Sequence, residues 1–212
     1  MTRGKFIALE GGEGTGKSTQ AKLLVGALTE RGIQAILTRE PGGTVGAEAI
    51  RKLLLDPPGE GWGHRAEALL FAAARSDHVE RLIEPALNAG TWVITDRYLD
   101  SSRAYQGGAG GVGDSSILQL HDIGSKGLRP DMTLLIEVSP ETVAERLAQR
   151  DGADSDAIGG RSAAYHGDVA RTFRQISQQD PRTFSLIDGN ADIETVHSRI
   201  LEAISPLLGE SD

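Results

Sequence analysis

The chain has 212 residues, no cysteine and a formal net charge of −8; its 39% apolar content suffices for the core of one α/β unit, or at most two small ones. The lack of cysteine excludes disulfides, thiolate nucleophiles and Cys-held zinc, and the acidic balance argues against nucleic-acid binding while leaving room for a nucleotide held by local arginines. No apolar run approaches the roughly 20 residues that span a bilayer, and an apolar strand begins at Phe6, so neither membrane span nor signal peptide is expected and the location is read as cytoplasmic.

Phe6 to Leu9 is a continuous apolar run and reads as a buried parallel strand. From Lys17 to Arg31, Ala21, Leu24, Val25 and Leu28 fall on one helical face, and Gly32 closes the helix. Ile33 to Thr38 reads as a second strand, broken by Pro41-Gly42-Gly43, and a short helix follows from Val45 to Leu55. The Pro/Gly-rich segment Asp56 to Gly63 is a loop. A long helix runs from Arg65 to Asn88, with a kink or early end at Pro85. Thr91 to Thr95 is a third strand. Gln106 to Gly113, with five glycines, is expected to be loop. Ser115 to Ser125 reads as helix, Met132 to Val138 as a fourth strand, and Pro140 to Arg150 as a helix with Pro in its first turn. Asp151 to Gly160 is polar and reads as loop. Ala164 to Gln179 is helical, Thr183 to Ile187 is a fifth strand, and Ile193, Val196, Ile200 and Ile204 mark a last amphipathic helix. Strands alternating with helices imply a parallel sheet covered on both faces. No linker separates two domains, so residues 1–212 are expected to form one.

Gly11-x-x-x-x-Gly16-Lys17-Ser18 matches the phosphate-loop pattern in full, after a strand and opening a helix. In Gly11-Gly12-Glu13-Gly14-Thr15-Gly16 the backbone N–H groups turn inward to cradle phosphate oxygens, and the helix that starts at Lys17-Ser18-Thr19 adds its dipole. Lys17 reaches toward β and γ phosphates, and the Ser18 hydroxyl is a ligand for Mg²⁺ carried with ATP. The G-x-G-x-x-G dinucleotide pattern fails in either register. No N-K-x-D motif supports a guanine-reading switch, and no LSGGQ-like segment supports a transporter ATPase. A P-loop NTPase-type three-layer sandwich with a five-stranded parallel sheet and a small lid, working as a small-molecule or nucleotide kinase, is the class left. Asp96 ends an apolar strand where a carboxylate would hold Mg²⁺ or its water, and Arg97 beside it is suited to bidentate phosphate binding.

"EGGEGTGKSTQ", "TREPGGT", "LLFAAARSDH", "TDRYLDSSRAYQG" and "RPDMTLLIEV", in this order and spacing, resemble the bacterial thymidylate kinases. The resemblance spans most of the chain. It implies phosphoryl transfer from ATP–Mg²⁺ to dTMP in a homodimer. It also implies that Arg97 and Arg51 hold the dTMP phosphate, Phe71 stacks on thymine, and Arg75 donates to a thymine carbonyl oxygen. Ser102 and Gln106 would complete the base pocket, Tyr105 would lie against the deoxyribose, Glu13 would face the sugar, and Glu40 would lie near the sugar or metal. Phe71 and Arg75, four apart, share a helix face. A donor-only guanidinium suits the O4 of thymine and clashes with the amino group of cytosine. Relatives that carry a catalytic arginine in the phosphate loop have it at the position of Gly14, so here the cation is expected from the lid, about residues 150–162. Many relatives have an Asp-Arg pair there, whereas this chain reads Asp154-Ser155-Asp156. Arg150 and Arg161 are the first candidates, with Arg146 behind them and expected rather to be a helix-surface residue. Two alternatives stay open: another nucleoside-monophosphate kinase, or a nucleotide-binding regulator without turnover.

Overall fold

In the computed structural model, which describes residues 2–148 and 158–209, strands β1 (Phe6–Glu10), β2 (Ala35–Arg39), β3 (Trp92–Asp96), β4 (Met132–Glu137) and β5 (Phe184–Asp188) make one sheet in the order β2-β3-β1-β4-β5. All four neighbouring pairs are parallel. β1 is wholly buried at the centre, as its unbroken apolar run requires. The chain leaves β1 for one edge of the sheet and later crosses to β1's other side. The loop after β1 therefore opens at the switch point of the sheet, where α/β folds take their ligands.

Helices cover both faces. α1 (Lys17–Glu30) and α9 (Ile193–Leu208) pack Leu24, Leu28, Val196, Ile200 and Ile204 on Ile7, Leu9 and Ile94. On the opposite face Val79, Ile83, Leu87 and Ile117 meet Phe6, Ala8 and Val93. They come from the run formed by α3 (His64–His78), a π-helical segment (Val79–Ile83) and α4 (Glu84–Asn88), and from α6 (Asp114–Ser125). α2 (Val45–Leu55) has the expected bounds; its N-cap Thr44 accepts from the Ala47 N–H. The long helix is one run with a wider turn, and Pro85 sits at the start of α4. A proline has no N–H to return to the preceding turn, so the irregularity falls on its N-terminal side.

One expectation is overturned. The glycine-rich stretch expected as loop from Gln106 begins inside a π-helix, Arg103–Ala109, that continues α5 (Leu99–Ser102). Close packing explains it. A Cβ on Gly108 would stand 2.4 Å from the Thr172 hydroxyl of α8 (Ala163–Gln179), so this glycine admits a neighbouring helix and does not mark a turn. Tyr105 and Ala104 of the π-helix join Val169, Phe173 and Leu135 in a third apolar cluster. α7 runs Pro140–Ala148. The rest of the helix expected to Arg150, and most of the lid, lie outside the described residues. No helix among those described is long and apolar enough to cross a membrane.

Candidate functional site

The phosphate loop lies between β1 and α1. Lys17 turns back over it, and its Nζ donates to the Gly12 carbonyl and, at 3.2 Å, to Thr15 Oγ1. The Lys17 amine is almost wholly enclosed; burial, with Arg97 nearby, pushes its pKa down to about 7. Ser18 Oγ donates to Asp96 Oδ2, which brings the hydroxyl at the start of α1 to the carboxylate at the end of β3. Two oxygen donors fit Mg²⁺, which keeps waters and takes its other ligands from phosphates. Among the described residues no cluster of three or more His, Cys, Asp or Glu is assembled for a metal.

Arg97 follows β3 with φ 70°, a left-handed conformation that costs a non-glycine residue roughly 1 kcal/mol or more. Its main chain is held on both sides: its N–H donates to Leu9 O at 2.9 Å and its carbonyl accepts from Thr95 Oγ1 at 2.8 Å. Next to it, the buried Glu10 carboxylate accepts from Tyr98 N–H (2.9 Å), Ser101 N–H (3.0 Å) and Ser101 Oγ (2.6 Å). Glu10 so caps the short α5, whose own N-cap residue gives no side-chain bond. The Arg97 guanidinium donates to Gly11 O (3.0 Å), Ser101 Oγ (3.1 Å) and Tyr105 OH (3.4 Å) and lies over the Tyr105 ring at 5.1 Å. Burial works against its charge, but Tyr105, Glu10 and Asp96 outweigh that and hold its pKa above the ordinary arginine value.

A cleft beside Arg97 is lined by Glu13, Glu40, Arg51, Phe71, Arg75, Arg97, Ser102, Tyr105 and Gln106, so all nine residues that the resemblance assigned to dTMP come together. Phe71 is half-buried and belongs to none of the three apolar clusters, which leaves its ring to the cleft. Arg75 donates from Nε to Glu40 Oε2 (2.7 Å) and from Nη2 to Ser102 Oγ (2.7 Å) and Tyr98 O (3.3 Å). Its Nη1 has no protein partner among the described residues and is the nitrogen left for a ligand. Glu40 spends its second oxygen on His78 Nδ1 (3.1 Å), and His78 Nε2 lies 2.7 Å from Thr38 Oγ1. Glu40 therefore serves the site through Arg75. Arg75 and His78 keep the Glu40 carboxyl below its ordinary pKa although burial pushes the other way. A Cβ on Gly43 would fall 2.5 Å from both His78 Nε2 and Thr38 Oγ1, and Gly43 also has φ +89°. "TREPGGT" and "AARSDH" are thus two strands of one hydrogen-bonded network. Arg51 Nη1 donates to Pro41 O at 2.8 Å.

Arg161 does not meet the phosphate loop through any of these bonds. It donates to Glu67 Oε2 and, at 2.5 Å, to Tyr165 OH, at the Gln106 end of the cleft. Arg150 lies outside the described residues. Arg146, expected on a helix surface, instead bridges the loop after β5 and the phosphate loop. It donates to Gly189 O (2.9 Å), Ala191 O (3.3 Å) and Thr15 O (3.5 Å). A single arginine on an amphipathic helix gives no sequence signal for such a reach. Glu67 was missed as well. Spacing carried a signal for it: Glu67, Phe71, Arg75 and His78 follow one another at steps of four, four and three, and so line one stripe of α3.

Comparisons with known proteins agree with this geometry. The sequence model of the family described as thymidylate kinase matches residues 9–200. A thymidylate kinase of Rhizorhabdus wittichii is 53% identical over 205 residues, covering 97% of this chain and 99% of that protein. Thymidylate kinases of Afipia carboxidovorans (44% over 210 residues; 99% and 92% covered) and Rhodopseudomonas palustris strain TIE-1 (46% over 204; 95% and 89%) are similar across their length too. A full-length match, a phosphate loop at the sheet switch point and an arginine-lined cleft beside it agree: the chain belongs to the thymidylate kinase family.

Proposed function

We propose that this chain transfers the γ-phosphoryl group of ATP to dTMP, giving dTDP and ADP. The observation that carries this reading is Arg97, whose one guanidinium touches both the Gly11 carbonyl of the phosphate loop and the Tyr105 hydroxyl of the base-side cleft. A cation so situated bridges donor and acceptor phosphates. Residues Gly11 to Thr19 cradle the ATP phosphates, and Lys17, neutralised in part by burial, regains its full charge against them. Arg97 and Arg51 orient the dTMP phosphate so that its oxygen attacks the γ-phosphorus in line. The bond to the β–γ bridging oxygen breaks, and ADP leaves. Ser18 and Asp96 would hold the magnesium ion that accompanies ATP, and that ion would neutralise charge on the phosphates. Phe71 stacks on the base, Arg75 Nη1 donates to O4, Ser102 and Gln106 close the pocket, and Tyr105 and Glu13 border the sugar. Arg150 is the proposed lid cation for the transferred group; Arg161, proposed on sequence grounds for the same task, would have to exchange its Glu67 partner to perform it.

The chain would act as one kinase unit in the cytoplasm, with residues 150–162 as its lid. A homodimer is proposed too; exposed Leu69 and Ile123, on the packed helices α3 and α6, support it. An ADP-release assay with dTMP, dUMP, dCMP and AMP tests the activity. ADP release stimulated above all by dTMP is the expected result. Preference for another monophosphate, or none, overturns it.

A further inference from the structure

Glu67 is a buried carboxylate on α3 shared by two donors from different parts of the chain. Gln106 Nε2 donates to Oε1 at 2.7 Å, and Arg161 donates to Oε2. Arg161 is itself fixed, its guanidinium 4.7 Å over the Tyr165 ring, with the Tyr165 hydroxyl bonded to Tyr105 O at 2.8 Å. An ionised carboxylate only accepts hydrogen bonds. Facing it, the Gln106 amide has one satisfactory orientation: NH₂ toward Glu67, carbonyl oxygen away. Gln106 lines the dTMP cleft and is 1% exposed, yet its amide oxygen is not among the buried, unpaired polar atoms. No described residue donates to that oxygen either, so it faces the cleft that Gln106 lines.

We infer that Glu67 is a specificity-determining positioning residue: held by Arg161, it forces Gln106 to offer the base an acceptor, so that the pocket selects a pyrimidine whose N3 carries hydrogen. This rests on the dTMP reading above and extends it. Arg75 supplies a donor and Gln106 an acceptor on neighbouring positions. That pattern matches the O4 and N3–H of an imide base and opposes the amino group and bare N3 of cytosine. Neither polarity is chosen by Gln106 alone, because an amide can turn over at little cost. The choice is made one residue further back.

The arrangement gives Glu67→Gln a specific outcome. Arg161 only donates, so the new amide must turn its oxygen to Arg161 and its NH₂ to Gln106. Gln106 must then flip and present NH₂ to the base. The probes are dTMP and the 5-methylpyrimidin-2-one deoxynucleotide, whose N3 is an acceptor and whose position 4 bears only hydrogen. For E67Q the dTMP-to-probe ratio of kcat/KM is expected to fall by about tenfold or more. The exchanged pair E67Q/Q106E is expected to restore it, since residue 67 then donates and residue 106 again offers oxygen to N3–H. An E67Q enzyme that loses kcat/KM equally for both nucleotides, or an exchanged pair that fails to recover the ratio, overturns the inference. If E67Q does not fold, the exchanged pair decides alone: preference for dTMP supports the assignment and its loss refutes it. Affinities of both nucleotides, measured by calorimetry beside turnover, separate a failed orientation from a failed dTMP kinase reading, because the ratio is then read without the chemistry.

Discussion

Arg75 Nε donates to Glu40 Oε2 across 2.7 Å, and the two side chains are 3% and 4% exposed. Such a pair is balanced only while both partners are present. Removing the carboxylate leaves a buried guanidinium without its counter-charge and typically costs about 3–5 kcal/mol. Glu40→Ala is therefore expected to lower the melting temperature clearly and to weaken dTMP binding although Glu40 spends its oxygens on protein partners. A melting curve beside a dTMP titration checks both; a variant with wild-type affinity would show that Arg75 needs no alignment.

Arg75 is the residue proposed to read the base. Arg75→Ala removes the donor facing O4 and the repulsion that excludes a 4-amino group. The dTMP-to-dCMP ratio of kcat/KM should fall by about 10² or more. An unchanged ratio would remove Arg75 from base recognition.

Glu10 sets a pH dependence of stability. Burial, with Asp100 nearby, raises its pKa from 4.5 to about 7 against the opposing pull of Ser101, Arg97 and Tyr98. Between these values the folded protein holds a proton that the unfolded chain has released. This contribution is fully present below about pH 4.5 and is lost as pH rises through 7. Glu10→Gln mimics the protonated form at every pH. The variant should gain on the wild type as pH rises from about 4.5 to 7, toward a limit of about 3 kcal/mol above that. Thermal melts of both proteins in parallel buffers measure the gap; a gap independent of pH would mean that Glu10 is ionised throughout.

Three arginines proposed to serve the nucleotides are expected to separate kinetically. Arg146→Ala should raise the KM for ATP and leave that for dTMP alone, since its partners are Thr15, Gly189 and Ala191. Arg150→Ala should lower kcat by about 10² or more with dTMP affinity kept, as loss of a cation at the transferred group would. Arg161→Ala should act chiefly on dTMP, through Glu67. Steady-state constants for the three variants decide; a large kcat loss confined to Arg161→Ala would give it the phosphoryl role instead.

Much of this was legible in the sequence because it is local. Gly11 to Ser18 carries its meaning in one contiguous pattern, and Phe71 and Arg75 share a face because a helix repeats every 3.6 residues. The parallel sheet follows from strands that alternate with helices. What was hidden depends on long reach. Glu40 meets Arg75 and His78 across 35 and 38 residues, and nothing in "TREPGGT" names those partners. Gly108 was misread because the sequence alone does not tell a glycine that bends the chain from one that admits a neighbour. The same ambiguity hid Arg146, whose carbonyl partners leave no mark in residue type.

Gly43 carries this lesson to mutational tolerance. It has no side chain with which to touch a nucleotide, yet any larger residue there would drive Thr38 and His78 apart and unfasten Arg75 from behind. In a saturation screen scored by growth, position 43 should therefore be as intolerant as Lys17, although it lies outside the lining of the cleft.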